Sequence, residues 1–154
     1  RGFLYSKAQS LGCNKIALGH HFNDVVETIL MGILYNGQIQ SMMPKLKSAN
    51  FEGMELIRPL YKVKEKDIIN WQKHNDLRFL RCACRFTEEM EKSSDGVGES
   101  KRQEMKMLVA KLLETNERAD DNIFNCVQNI NLNTCIAWKK DGKLTHFLDE
   151  YPQK

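Results

Sequence analysis

The sequence predicts an α/β fold with a helical carboxyl-terminal extension, and three observations support this prediction. Short apolar runs typical of buried strands occupy residues 15–18 and 54–60, and each is followed by a helical pattern. Residues 100–116 hold the most regular helical stripe of the chain. The 154 residues are 42% hydrophobic and 28% charged, which is typical of a globular domain. No apolar run approaches the roughly 20 residues that a transmembrane helix needs.

The first third of the chain alternates helix, strand and helix before a long loop. Apolar residues at helical spacing predict an opening helix that ends near Gly12, a frequent helix-terminating residue. The run at 15–18 predicts a buried strand, and the stripe that follows predicts a helix over 24–35. Gly32 inside that helix costs about 1 kcal/mol relative to Ala, which indicates that another group packs closely against it. Residues 38–53 are polar and predict an extended loop.

The rest of the chain continues the α/β pattern and then becomes helical. Apolar spacing predicts a strand at 54–60, a helix at 64–75 and a short strand at 77–80. Ser and Gly residues predict a flexible loop at 92–100. Apolar spacing then predicts helices at 100–116 and around 123–130, which are followed by a tail at 139–154. The tail contains Asp141-Gly142, a turn sequence, and predicts either a short hairpin or disorder.

Charge is distributed unevenly although the net charge is only +3. Residues 62–85 contain seven basic side chains against three acidic ones, and residues 86–99 contain five acidic side chains against one lysine. A basic band of this kind is able to meet an RNA backbone. The alternative is that these charges only solvate exposed helix faces.

The junction between the first strand and the next helix carries candidate functional side chains. Gly19, His20, His21 and Asp24 follow the strand, at the position where ligands bind in open α/β sheets. Amides at the helix start can hold phosphate oxygens, and Asp24 is able to bind a metal or take a proton. The alternative needs no ligand, because Asp24 followed three residues later by Glu27 resembles a helix-capping box.

The five cysteines are odd in number and irregularly spaced, which does not resemble a secreted disulfide framework. A reducing compartment is therefore expected, and we place the protein in the cytoplasm. Cys82 and Cys84 form the only close pair. Two thiolates do not complete a four-ligand zinc or iron-sulfur site, so further ligands must come from elsewhere. The alternative is that this C-x-C pair is incidental.

Several segments together resemble one known family. LGHHFNDVVET at residues 18–28, the run Ile57-Arg58-Pro59-Leu60, the run Glu65-Lys66-Asp67-Ile68 and Cys82 occur in the order and at the spacing of the tRNA 2-thiocytidine synthetases. These enzymes belong to the PP-loop ATP pyrophosphatase superfamily. The resemblance extends from Arg1 to about Glu89, and it is more specific than any single motif within it.

The resemblance implies a Rossmann-like, adenine-nucleotide-hydrolase-like parallel sheet and a two-step reaction. Enzymes of this family adenylate the 2-oxygen of an anticodon-loop cytidine in tRNA with ATP and magnesium, and then replace that oxygen with sulfur. Their 4Fe-4S cluster is held by three cysteines, and one iron stays free to carry sulfide. The implied partners are tRNA, a sulfur donor that supplies cysteine-desulfurase-derived sulfide, and a second copy in a homodimer. No membrane partner is expected.

The same resemblance implies roles for individual residues. Those implied in the reaction are His20, His21 and Asp24. Those implied in binding the nucleotide are Gly19, His20, Asp24, Arg58 and Glu65. Cys82 is an implied cluster ligand, and Cys84 is its neighbour in a C-x-C where the family has C-x-x-C.

Two family motifs do not occur in these residues, namely the phosphate-binding SGGxDS loop and the first C-x-x-C. We expect both to lie upstream of Arg1, so that this chain is the carboxyl-terminal part of a longer enzyme. Residues 1–90 then form the end of the PP-loop α/β domain, and residues 91–154 form a helical extension and tail. By itself the chain is expected to bind ATP weakly and to assemble no complete cluster.

Two other interpretations remain open at this point. One is another PP-loop enzyme that adenylates tRNA without sulfur, such as a lysidine synthetase. Cys82 argues against it, because that reaction needs no thiolate. The other is a non-catalytic α/β or zinc-binding module, in which Asp24 only caps a helix and Cys82 with Cys84 binds zinc or nothing. Metal analysis distinguishes the three.

Overall fold

The computed structural model describes residues 2–78 and 101–151. The helices and strands in these ranges are α1 (Gly2–Ser10), β1 (Lys15–Ala17), α2 (Phe22–Asn36), β2 (Lys45–Lys47), β3 (Glu55–Ile57), α3 (Glu65–His74), α4 (Lys101–Thr115), α5 (Ala119–Cys126), β4 (Ala137–Lys140) and β5 (Lys143–His146). None of the helices in this part of the chain combines the length and the apolar character needed to cross a bilayer.

The first three strands form a mixed sheet in the order β1-β3-β2. β1 runs parallel to β3, with Ile16 opposite Leu56, which confirms the predicted parallel pair and the α/β class. β2 runs antiparallel to β3, with Leu46 opposite Leu56. The prediction of a loop over 38–53 is therefore wrong at β2. Its three residues hold a single apolar side chain between two lysines, so the strand depends on pairing with β3 rather than on its own pattern.

The core centres on α2 and includes both helices of the extension. The buried members of this cluster are Phe22, Val25, Val26, Ile29, Val109 and Phe124. The ring centroids of Phe22 and Phe124 lie 4.7 Å apart, at the separation of a stacked aromatic pair. Because α4 and α5 complete the core of α2, the extension packs as part of one hydrophobic unit with the α/β segment.

Element boundaries differ from the prediction mainly at helix ends. α2 begins at Phe22 instead of Asp24, and α5 ends at Cys126 instead of near Ile130. Leu77 and Arg78 are not in a strand, so the predicted strand at 77–80 is wrong where it is described, and its other two residues lie outside the described ranges. The loop predicted at 92–100 also lies outside them.

The tail forms a two-stranded hairpin, which confirms one of its two predicted states. β4 pairs antiparallel with β5, and Lys140 lies opposite Lys143. Asp141 and Gly142 connect the strands with φ angles of 51° and 79°. Positive φ at both central residues is typical of the tight hairpin turns that an Asp-Gly sequence favours.

Gly32 confirms the prediction of close packing inside α2. A Cβ at this position would lie 2.8 Å from the backbone oxygen of Gln38. The chain reverses there, because Gly37 has a φ of 61° and the Gln38 N–H donates to the Gly32 carbonyl at 2.9 Å. The glycine therefore lets the loop after α2 fold back onto the helix.

Candidate functional site

The carboxyl ends of β1 and β3 and the starts of α2 and α3 meet at one edge of the sheet. The Leu18 N–H donates to the Ile57 carbonyl at 2.9 Å, and the Phe22 N–H donates to the Val63 carbonyl at 3.0 Å. The side chain of Asn23 accepts a hydrogen bond from the Glu65 N–H at 2.9 Å. These bonds hold the two strand-to-helix junctions side by side, where open α/β sheets bind ligands.

Asp24 lies in the first turn of α2 and closes that turn. Its Oδ2 accepts a hydrogen bond from the His21 N–H at 2.9 Å, so His21 is the capping residue and Asp24 is the third residue of the helix. The capping box predicted from Asp24 to Glu27 is therefore misplaced by three residues. The physical reason is that α2 begins earlier, with Phe22 buried against the core.

Glu27 is a buried carboxylate one turn further along α2. Burial raises the pKa of Glu27, while the nearby Arg102 acts to lower it and Asp24 acts to raise it. Beside it lies a cleft of about 130 Å³ between α2 and α4, which is lined by Asn23, Val26, Glu27, Lys106, Val109, Ala110 and Leu113. Glu27 is thus not a cap but a charged group in a mostly apolar cleft.

The two histidines and Gly19 lie at the junction between β1 and α2. His20 and His21 are both half-buried, and Nε2 of His21 is 3.6 Å from Oδ2 of Asp24. The other ring nitrogen of His21, Nδ1, is buried and has no hydrogen-bond partner in the described part of the chain. Gly19 is exposed, and no atom there lies within 4 Å of an added Cβ, so the backbone is open to a ligand.

Arg58 follows β3 at the same edge of the sheet. Its backbone N–H donates to the Pro44 carbonyl at 2.9 Å, and its Nη1 donates to the Met43 carbonyl. Its Nε is buried and lacks a hydrogen-bond partner among the described residues. Within those ranges no ion pair joins Arg58 to Asp24 or Glu65, so this guanidinium keeps a donor that no described residue uses.

Glu65 begins α3 and is held by a residue that sequence reasoning missed. Lys106 of α4 donates to both carboxylate oxygens of Glu65, at 2.9 and 3.1 Å. One turn earlier on α4, Arg102 contacts Asp24 at 3.0 Å. Two basic residues four apart at the start of a helix are the only sequence signal of these contacts, and that spacing is equally typical of a solvated face.

Lys64 also has a role that the sequence did not indicate. Its Nζ lies 2.8 Å from Asp120 and 3.1 Å from Asp121, and 4.9 Å from the centroid of the Phe22 ring. Burial acts to lower the pKa of Lys64, but its hydrogen bonds to the two aspartates outweigh burial, so the pKa is raised. Lys64 therefore connects α3 to α5 instead of contributing to an exposed basic band.

The predicted cluster cysteines, Cys82 and Cys84, lie outside the described residues. The three cysteines within the described ranges, Cys13, Cys126 and Cys135, form no disulfide. In those same ranges, no group of three or more His, Cys, Asp or Glu side chains is arranged to hold a metal ion.

Comparison with protein families identifies the α/β part of the chain. The profile of the PP-loop domain matches residues 2–86, which cover the sheet, α2 and α3. The chain belongs to the PP-loop family. This membership agrees with the resemblance in the motifs around Asp24 and Glu65, and both of these residues lie within the matched range.

Several curated proteins resemble this PP-loop chain over most of its length. It is 37% identical over 131 residues to the tRNA-cytidine(32) 2-sulfurtransferase of Coxiella burnetii strain CbuG_Q212. It is 35% identical over 130 residues to the protein of that name in Geobacter sulfurreducens, and 38% identical over 130 residues to the one in Syntrophotalea carbinolica. Each match covers 84% of this chain and 47% of the relative. The chain therefore spans about half the length of these relatives.

A solved structure supports the fold. The U34-tRNA thiolase NcsA from Methanococcus maripaludis, determined with its [4Fe-4S] cluster, matches with a TM-score of 0.59. The match covers 84% of this chain and 42% of that one, at 18% sequence identity. At this identity the likeness concerns the arrangement of helices and strands, and it agrees with the α/β class.

Proposed function

We propose that this chain is part of an ATP-dependent tRNA sulfurtransferase that converts an anticodon-loop cytidine to 2-thiocytidine. The observation that carries the proposal is the gathering of Gly19, His21, Asp24, Arg58 and Glu65 at the carboxyl edge of the β1–β3 pair. Relatives that bear the name of this activity are 35–38% identical over 84% of the chain.

The nucleotide is proposed to bind at the start of α2. No described atom lies within 4 Å of a Cβ added at Gly19, which leaves room for a ligand beside the backbone at this junction. His20 lies at the same junction, and the buried Nε of Arg58 has no partner among the residues that the structure describes, which fits a phosphate or ribose oxygen. Glu65, whose charge is balanced by Lys106, shapes the opposite side.

The proposed chemistry proceeds in two steps. The 2-oxygen of cytidine attacks the α-phosphorus of ATP, and pyrophosphate leaves. Sulfide then attacks C2, and AMP leaves with the original oxygen. The first step is needed because an amide-like oxygen is a poor leaving group until it is esterified. His21 is proposed to hold a proton at Nδ1, which has no partner in the described part of the chain.

Asp24 is the proposed protein ligand of magnesium. It supplies one carboxylate, and magnesium in nucleotide sites takes one or two carboxylates together with phosphate oxygens and water. Cys82, with Cys84 as its neighbour, is the proposed contribution to the iron-sulfur cluster. A cluster held by three thiolates supplies an iron that carries sulfide when it is bound.

The tRNA is proposed to contact exposed lysines near α3. Lys62, Lys66 and Lys73 are exposed, whereas Lys64 is engaged by Asp120 and Asp121. We therefore do not propose that Lys64 contacts tRNA, although it is one of the basic residues in the band over 62–85. The boundary near residue 90 between the α/β part and the extension remains our proposal for the domain organisation.

The test uses the protein with all the sequence that its gene encodes, reconstituted without oxygen. It is incubated with ATP, magnesium, sulfide and tRNA, and the digested nucleosides are analysed by mass spectrometry. We expect 2-thiocytidine to appear only when ATP is present. A tRNA in which the target cytidine is replaced by uridine is the matched substrate control.

Metal content and a cysteine pair separate the alternatives. Iron with acid-labile sulfide, lost in Cys82→Ser but kept in Cys13→Ser, supports the sulfurtransferase, because Cys13 is an exposed thiol in the α1–β1 loop. Lysidine in the digested tRNA would support the adenylating enzyme without sulfur. Zinc together with unmodified tRNA would support the non-catalytic module.

A further inference from the structure

Arg102, at the start of α4, joins two carboxylates on the first turns of α2. Its Nη1 lies 3.0 Å from Oδ1 of Asp24, and its Nε lies 3.5 Å from Oε2 of Glu27. The side chains of Asp24 and Glu27 are only 16% and 8% exposed, whereas that of Arg102 is 47% exposed. One partly exposed guanidinium therefore contacts two mostly buried carboxylates through two different nitrogens. Arg can do this because its guanidinium carries several N–H donors, whereas Lys has a single ammonium group.

Both oxygens of Asp24 are engaged, and each has a different partner. Oδ2 accepts the hydrogen bond from the His21 N–H, and Oδ1 accepts one from Arg102. The first bond is local to the helix start, while the second comes from a residue 78 positions further along the chain. Together they restrict the carboxylate to one orientation at the carboxyl edge of the sheet.

The docking of α4 does not depend on this contact. Met105 and Val109 are buried, and Val109 belongs to the core built around α2. Lys106 separately ties α4 to Glu65. A partly exposed ion pair is weak beside the burial of such apolar side chains. The specific effect of Arg102 is therefore on the position of Asp24.

We propose that Arg102 is a positioning residue that fixes the Asp24 carboxylate in the orientation used for the adenylation step. This inference rests on the proposed function, in which Asp24 faces magnesium-bound ATP. Arg102 acts through Asp24 and need not touch the substrate. Without the shared cation, the neighbouring carboxylate of Glu27 repels Asp24, and Oδ1 loses its hydrogen bond from Arg102.

The test is a double-mutant cycle in the full-length protein. Pyrophosphate release from ATP in the presence of tRNA is measured for the wild type, Arg102→Gln, Asp24→Asn and the double variant. Calorimetric binding of a non-hydrolysable ATP analogue with magnesium is measured for the same four proteins, because it needs no turnover; Arg102→Gln should weaken this binding, and it should have no further effect in the Asp24→Asn background. We expect Arg102→Gln to lower kcat about 10- to 100-fold with little change in the KM for tRNA. In the Asp24→Asn background the same substitution should have no further effect, because its partner is already lost.

Two further variants make the cycle decisive. Lys111→Gln removes a positive charge from an exposed position on the same helix and should leave kcat unchanged. Arg102→Lys keeps the charge but reaches only one carboxylate, so it should recover part of the activity. If Arg102→Gln does not fold, the cycle is run with Arg102→Lys, in which coupling to Asp24 supports the proposal and its absence overturns it.

Pyrophosphate release by the wild type tests the proposed function, and the differences between the variants test the positioning role of Arg102. A wild-type protein that releases no pyrophosphate refutes both. An active wild type in which the effects of Arg102→Gln and Asp24→Asn multiply overturns only the positioning role. Unchanged kcat in a folded Arg102→Gln variant has the same consequence.

Discussion

α1 and α2 both carry apolar residues at helical spacing, yet they differ in burial. α2 buries six residues, and Ile29 at its centre is 0% exposed. α1 buries none in the described structure, and its Phe3 and Leu4 are 80% and 58% exposed. Among the described residues the difference lies in the neighbours, because α2 is covered by α4 and α5, whereas α1 contacts β1 and stacks its Tyr5 ring on Phe51.

This comparison shows that apolar spacing creates a face but does not bury it. Burial of α2 depends on residues about 80 and 100 positions away, such as Val109 and Phe124. The candidate site lies at the start of the same helix, so the core that covers α2 also fixes Asp24. Substitutions that act on α2 should therefore matter far more than equivalent ones on α1.

The largest expected effect comes from emptying the core of α2. Ile29→Ala should lower the free energy of unfolding by about 2–5 kcal/mol, because it removes buried methyl groups and leaves a cavity. Leu4→Ala on α1 should change it by less than about 0.5 kcal/mol. Urea denaturation measures both. Equal losses in the two variants would show that α1 is covered in solution.

The next effect separates two neighbouring lysines. Lys64→Gln leaves the buried carboxylate of Asp120 without its cation and should cost about 1–3 kcal/mol. Lys62→Gln, at an exposed position, should cost less than about 0.5 kcal/mol. For tRNA binding the order should reverse, and Lys62→Gln should reduce the slope of log affinity against log salt by about 1. If the Lys62→Gln and Lys64→Gln variants show equal slopes of log affinity against log salt, Lys62 does not contact tRNA and only faces solvent.

A substitution at Gly32 tests the close packing between α2 and the turn that follows it. Gly32→Ala should destabilise the protein by about 1–2 kcal/mol, because overpacking against the Gln38 carbonyl outweighs the gain in helix propensity. Gly2→Ala in α1 is the matched control, since no atom of the described residues lies within 4 Å of a Cβ added at Gly2. Thermal unfolding measures the stability of both variants. A stabilised Gly32→Ala variant would show that the loop after α2 moves away from the added methyl group at little cost.

The smallest effect is a pH dependence at Glu27. The folded protein raises the pKa of this carboxyl above its ordinary value of 4.5, mainly by burial. Glu27 therefore favours folding below pH 4.5, and this contribution is lost as the pH rises through the raised pKa. Relative to Glu27→Gln, the wild type should lose stability as the pH rises from 4.5 through the raised pKa of Glu27, and it should lose no more at higher pH.

Urea denaturation from pH 4 to pH 8 checks this expectation. Glu114→Gln, which removes an exposed carboxyl from α4, is the matched control. A wild type that gains stability relative to Glu27→Gln as the pH rises would show that the ion pair with Arg102 outweighs burial.

The family resemblance implied the parallel pairing of β1 and β3, and the sequence pattern by itself determined the α/β class, the helix over 101–115 and the close packing at Gly32. These features rest on local periodicity and on residues with one conformational role, which act within a few positions along the chain. Gly19, His20, His21 and Asp24 were expected at the carboxyl edge because the junction after a strand is a general binding position in such sheets, and Arg58 and Glu65 were added by the family resemblance; their roles stay predictions.

Only the tertiary structure decided the start of α2, the strand β2 and the charge partners of the candidate site. β2 has too little apolar pattern to be predicted and forms because β3 offers an edge. Arg102 meets Asp24 across 78 residues of sequence, and Lys64 meets Asp120 across 56. A basic side chain has the same local pattern whether it faces water or a carboxylate, so only the packing of α4 and α5 against α2 selects its partner.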